Sequence, residues 1–417
     1  MPYARGTMFT RYRAVLGRPG ALRFSAGAMV ARLPISIDTL GIVLLVTGLS
    51  RSYALAGALA AAYTIANAAL AIVQGRLLDR LGQARVLPVV ASAFGVAVVV
   101  LVTSLESGWP DLVAFVSAAV AGAAYPPIGS CVRARWSHVL AGRPLEVQTA
   151  YALESVIDEA IFIIGPTVAT VLATTWHPWA GLGVALVSGL CGSFYLAAQR
   201  DTQPEPHPPN PVADGGPAMP WPTVVPLAVV CLALGSMFGA AEVGTVAFSG
   251  EQHAKPYAGV LLALWALGSL IAGLVTGNFR WKKAAAFRVR VGSVILALVM
   301  LPMAFVGSMP AMGLALFLAG FAIAPTLIAS MASTEQTVPG PRLTEGIAIM
   351  HTGIAAGLAP GAALGGLVID AHGASAAYLV AFGAGVVAAL SALALPRGAL
   401  ADSESGSTAD ATRSAST

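Results

Sequence analysis

Apolar runs of 18 residues or more recur from about Leu22 to Leu395, separated by short polar or Pro/Gly breaks. Cutting the chain at those breaks predicts about twelve spans: 22–49, 54–75, 86–105, 111–132, 147–173, 178–198, 222–248, 257–279, 286–307, 309–332, 344–369 and 374–395. A helix rises about 1.5 Å per residue, so roughly twenty apolar residues cross a ~30 Å hydrocarbon layer. The pattern therefore predicts an all-α polytopic membrane protein, with the first run, about 27 residues long, kept as a helix. A signal peptide has an apolar region of only about 7–15 residues.

Composition agrees with this reading. Of 417 residues, 57% are hydrophobic and 10% charged, against about 25% charged in soluble domains. The net charge of +4 would suit nucleic acid, but its placement points elsewhere. With the N-terminus in the cytoplasm, twenty Lys and Arg fall in inside segments and two, Arg51 and Lys255, in outside ones; Arg32 lies within the first span. That asymmetry is the positive-inside signal. It predicts an even number of spans, both termini cytoplasmic, a cell (plasma or inner) membrane location and no nucleic-acid partner. Cys131, Cys191 and Cys231 sit in or beside apolar runs without metal-like spacing and read as small buried hydrophobes.

The stretch from Gln199 to Pro222, rich in proline and containing acidic residues and Gly215-Gly216, lacks the apolar content to fold and reads as a solvated linker. It divides the spans six and six. The expected organisation is a cytoplasmic segment 1–21, a six-helix half 22–198, a linker 199–221, a second six-helix half 222–396 and a disordered tail 397–417. The halves echo each other. Ala121-Gly122 with Pro127 recurs as Ala319-Gly320 with Pro325, 198 residues on, and the basic turn at Gly75 has a counterpart at Gly277, 202 residues on. Gly357, Gly361, Gly365 and Gly366 give span 11 small-residue faces, which suit either a mobile interface between halves or tight static packing.

The turn itself, Gly75-Arg76-Leu77-Leu78-Asp79-Arg80-Leu81-Gly82-Gln83-Ala84-Arg85, carries the most specific string in the chain. Its Gly-x-x-x-Asp-Arg-x-Gly pattern resembles the loop between helices 2 and 3 of major facilitator superfamily transporters. The resemblance implies two pseudo-symmetric six-helix halves, a parallel repeat with the substrate site between them. It also implies that Gly75, Asp79, Arg80, Gly82 and Arg85 form a conformational latch. In the family this aspartate faces the N-terminus of helix 11, where a helix dipole favours a carboxylate. The family's two further basic residues are replaced here by Gln83 and Ala84.

Charges at membrane depth are costly and functional by default. Arg32 lies about ten residues, roughly 15 Å, into the first span. In the fifth span Glu154 and Asp158 share a helix face, with Glu159 beside them. A buried cluster of Arg32 with these acids is expected, serving either proton coupling or a static staple between helices. Asp38, just past the kinking Pro34, is a candidate proton or cationic-substrate site, or a group bonded to neighbouring backbone or hydroxyls. Glu242 is expected towards the outer end of the seventh span, where it could face external water. His351 in span 11 could titrate near neutral pH or simply be hydrogen-bonded.

Gly165-Pro166 is what remains in span 5 of a longer glycine pattern in the family's drug/proton antiporters, and no arginine lies within 115–130, where many of them carry one. No phosphate-binding loop, zinc pair or nucleophile elbow is present, so no enzyme activity, metal or cofactor is expected. The resemblance implies a secondary transporter working by alternating access. The preferred form is proton-coupled efflux of a small organic compound, with a lipid bilayer and protons as partners and a monomer sufficient. Proton-linked uptake or sugar-type efflux, and a non-transporting sensor or scaffold, are the alternatives.

Overall fold

A computed structural model describes residues 8–206, 218–278, 283–339 and 343–396. Its helices are α1 (Met8–Leu16), α2 (Ala21–Arg32), α3 (Pro34–Gly48), α4 (Tyr53–Leu81), α5 (Gln83–Glu106), α6 (Asp111–Ala124), α7 (Ile128–Val139) and α8 (Pro144–Thr175). They continue as α9 (Ala180–Ala198), α10 (Trp221–Glu251), α11 (Ala258–Asn278), α12 (Ala285–Met300), α13 (Met309–Gly320), α14 (Ile323–Thr337), α15 (Leu343–His372) and α16 (Ala374–Leu393). Twelve candidate spans result, because α2–α3, α6–α7 and α13–α14 each make one interrupted span. The breaks have local causes. Only Leu33, itself with helical dihedrals, separates the end of α2 from Pro34 at the start of α3, and the break falls there because proline has no N–H to continue the hydrogen-bond ladder. Pro126 and Pro127 separate α6 from α7.

Within each half the helices pair alike. Spans 1–5, 2–4 and 3–6 pack as α3 on α8, α4 on α6 and α5 on α9; spans 7–11, 8–10 and 9–12 repeat this as α10 on α15, α11 on α13 and α12 on α16. The sequence echo falls on these pairs. A Cβ at Gly122 would collide with the Tyr63 carbonyl of α4, and one at Gly320 with the Trp265 carbonyl of α11; Trp265 follows Tyr63 by 202 residues. Between halves, α4 packs on α15 and α8 on α11, two contacts that exchange when the halves are swapped. Gly57 lies against the Ala362 carbonyl and Gly259, also 202 residues on, against the Pro166 carbonyl. Most of the span 11 glycine stripe serves its own half: Gly357, Gly361 and Gly365 pack on α10, while Gly366 meets the Tyr53 backbone of the other half.

Gly122→Ala is expected to cost about 1–3 kcal/mol, the penalty of overpacking a rigid backbone contact. Gly383→Ala, where no atom lies within 4 Å of the added methyl group, serves as the neutral control. Thermal unfolding in detergent compares the two.

The linker does not leave the surface at once. Thr202 is buried, and the Ala84 N–H donates to Gln203 Oε1 at 3.0 Å. Residues 207–217 and the tail 397–417, expected to be solvated or disordered, lie outside the described residues.

Candidate functional site between and within the halves

The turn at Gly75 is less of a turn than its glycines suggested. α4 continues to Leu81, and the chain reverses at Gly82 alone, whose φ of 84° suits a residue without a Cβ. Gly75 makes no close approach, since nothing lies within 4 Å of a Cβ there. Asp79, Arg80 and Arg85 are exposed, and among the described residues Asp79 has no hydrogen bond or ion pair. Gln83 is buried and bonded: Arg135 Nε donates to its Oε1 at 2.7 Å, and its Nε2 donates to the Cys131 carbonyl at 3.1 Å. Arg135, fully buried, also donates to the carbonyls of Leu196 (2.9 Å) and Gln199 (2.8 Å) at the end of α9 and to Thr202 Oγ1 (2.8 Å). It thus neutralises its charge on helix-end carbonyls and not on an acid. Only its place in an arginine-rich segment was legible before the fold.

Arg32, Glu154 and Asp158 come together, joined by a residue that the topology argument had placed in a loop. Arg32 Nη2 donates to Glu154 Oε2, its Nη1 to Asp158 Oδ1 at 2.6 Å and its Nε to the Ala28 carbonyl at 3.1 Å. Arg133, on α7, donates to Asp158 Oδ2 at 3.0 Å. Ser25 Oγ and Trp136 Nε1 complete Glu154 at 2.7 and 2.8 Å. Two arginines face two carboxylates, and every donor nitrogen of Arg32 is used. Such a network is saturated and charge-balanced. The second basic charge comes from the lower part of the fourth span, not from the 115–130 stretch searched in the sequence. Glu159 sits beside Asp158, half-buried, with no bond to the quartet among the described residues. His351 is exposed on α15.

Among the described residues Asp38 and Glu242 have no cation partner. Asp38, 2% exposed, accepts from the Tyr63 hydroxyl, and its Oδ1 is buried without a protein partner among the described residues. Glu242 lies nine residues short of the end of α10 and accepts from Thr39 Oγ1 of the other half at 2.9 Å. Helix rotation turns this side of α10 towards α3 and α4. A cavity of about 10 Å³, on the order of one water molecule, lies between the halves, lined by Thr39, Thr64, Glu242 and Leu358 among others. Asp38 and Tyr63 are the chain neighbours of Thr39 and Thr64.

Gly165 packs on Ser36, and the Pro166 carbonyl touches Gly259, so this dipeptide stands where α8 meets α3 on one side and α11 on the other. No metal-holding group of His, Cys, Asp or Glu occurs among the described residues.

Contacts that join the halves run from this level to the end remote from the arginine-rich loops. Thr167 Oγ1 donates to the Gly259 carbonyl at 3.4 Å and Lys255 Nζ to Thr47 Oγ1 at 2.9 Å. At the arginine-rich end the first half keeps a separate core around Phe24 and Trp136, to which, among the described residues, the second half contributes none.

Twelve spans in two alike halves, with an interior acid of one half bonded to a hydroxyl of the other, are the architecture of a two-half membrane transporter. The family model for the Major Facilitator Superfamily matches residues 24–311 and 247–417, and the chain belongs to that superfamily. Solved structures similar in fold include the nucleoside transporter NupG (15% identity, 89% of this chain and 98% of that one, TM-score 0.65). A bacterial homologue of the iron transporter ferroportin (14%, 89% and 98%, TM-score 0.68) and the peptide transporter POT in complex with sulfate (13%, 90% and 93%, TM-score 0.69) are similar as well. No curated protein matches by sequence.

Proposed function

We propose that this protein exports a small organic compound across the cell membrane in exchange for protons, with Asp38 and Glu242 as the proton-exchanging groups. The observation that carries the reading is the contrast between two sets of acids. Glu154 and Asp158 are fully paired with Arg32 and Arg133, so moving a proton there would unbalance a buried network. Among the described residues Asp38 and Glu242 are each held by a single hydroxyl, one acid in each half, with Glu242 and the chain neighbours of Asp38 and Tyr63 lining the cavity between the halves. A carboxylate without a cation is the kind that exchanges a proton when its surroundings change from wet to dry. The quartet is assigned a structural role, fastening α2 to α7 and α8.

The arginine-rich face is taken as cytoplasmic on the positive-inside rule, with both termini there, and one chain suffices as the working unit. On that orientation the protein is closed outside and unlatched inside, with Asp79 free to return to the N-terminus of α15. His351 and Glu159 are secondary candidates for substrate contact. The apolar, aromatic-poor composition suits a moderately hydrophobic cargo.

Proteoliposomes supplied externally with a panel of neutral and monocationic organic compounds test the direction. An acidic lumen should drive accumulation at least about tenfold above the no-gradient level, whichever way the protein is inserted. Accumulation only with an alkaline lumen would overturn antiport in favour of proton-linked uptake. An absence of flux for the panel while a partner protein is bound would favour the sensor reading.

A further inference from the structure

The Gly-x-x-x-Asp-x-x-Gly string that ends α4 occurs a second time in the chain. Gly75, Asp79 and Gly82 have the same spacing as Gly366, Asp370 and Gly373, which end α15. Both aspartates stand two residues before the last residue of their helix, and both helices stop at a glycine with φ of 84°. α4 and α15 pack against each other across the seam between halves, and one string lies at each end of the pair.

At the end remote from the arginine-rich loops the contact is made. Asp370 Oδ1 accepts from the Tyr53 N–H at 3.0 Å and Oδ2 from the Ala54 N–H at 2.7 Å, the first two residues of α4. The Leu55 N–H goes to Ser52 Oγ at 3.1 Å. The unpaired N–H groups at this helix start are therefore shared out between a cap from its own chain segment and a carboxylate from the other half. Gly366 allows the approach: a Cβ there would collide with the Tyr53 carbonyl. Gly75, by contrast, has open space around it, and Asp79 is exposed.

We propose that Gly366-x-x-x-Asp370-x-x-Gly373 is the outer latch of this transporter, engaged in the present conformation and alternating with the inner latch at Asp79. The inference rests on the alternating-access reading. The two latches are reciprocal: each helix of the α4–α15 pair supplies a carboxylate near its C-terminus to the N-terminus of the other. Tilting the pair to close one end pulls the other acid off its helix start. Each acid stabilises one conformation and leaves the other unaffected, so removing it changes the populations in a fixed direction.

Spin-label distances in the full chain in nanodiscs test this, with Cys131, Cys191 and Cys231 replaced. Ser107→Cys with Gln252→Cys reports the outer end, and Ala141→Cys with Gln336→Cys the inner end; all four positions are exposed. Asp370→Ala should raise the outward-open to inward-open ratio about fivefold, the equivalent of one lost helix cap, with Asp370→Asn between it and the wild type. Asp79→Ala should move the ratio the other way. Asp111→Ala, which removes a carboxylate on the same face that pairs with Arg51 inside one half at 2.6 Å, should leave it unchanged. Two wild-type populations unmoved by Asp370→Ala would overturn the latch and leave the transporter reading standing. A wild type confined to one distance at both ends, with or without a pH gradient and in every variant, would overturn both.

Discussion

Asp38→Asn is expected to reduce proton-driven accumulation by about a hundredfold, the lower range for loss of a positioned proton-transfer group, while downhill exchange of the same compound stays within about twofold. The substitution keeps the shape of the side chain and an oxygen for the Tyr63 hydroxyl, so the packing of α3 against α4 should survive. What it removes is the site of charge change. Glu242→Gln should produce the same split, because its bond to Thr39 is likewise a single hydroxyl contact. Flux assays with and without a pH gradient separate driven from downhill transport. Equal loss of both, with the protein folded, would mean that these acids bind substrate and not protons; no loss in either variant would defeat the coupling assignment.

Arg32→Ala is expected to be the most destabilising single change in the first half, costing about 3–5 kcal/mol. It leaves Glu154, whose side chain is 0% exposed, with only Ser25 and Trp136 as donors, and Asp158 with Arg133 alone. Thermal unfolding in detergent reads the effect. The double variant Arg32→Met with Glu154→Met should be less destabilised than Arg32→Ala, since it buries no orphan charge. If the double variant also retains proton-driven transport, the quartet is a staple; if it folds but loses driven transport alone, the quartet belongs to the coupling machinery after all.

These expectations depend on how differently the two groups of acids are placed, and the sequence did not separate them. In the linear chain Asp38 and the cluster of Glu154, Asp158 and Glu159 stood as parallel coupling candidates, the cluster because crowded carboxylates do not all ionise easily. Arg133 cancels that crowding, and its role was hidden because a basic residue near a span end is also what topology requires. For Glu242 the depth along the helix was legible from numbering, whereas the rotation that turns it to Thr39 was not. Gln83 was treated as a weakened position in a basic motif, yet it is the buried partner of Arg135.

The sequence by itself determined the number of spans, the clustering of arginines at one end, the break at Pro34, the six-and-six division and the repeat offsets of 198 and 202 residues. In a bilayer each span must satisfy its own backbone and present apolar surface, so a one-dimensional pattern is enough to define it. Only the tertiary structure decided which charges cancel, which stay single and which aspartate grips the opposite half. Those outcomes turn on side chains from helices up to 317 residues apart, brought together by close glycine contacts and by helix rotation, neither of which is local. The string around Asp370 shows the division well: its letters are in the sequence, but it becomes a latch only where α15 crosses α4.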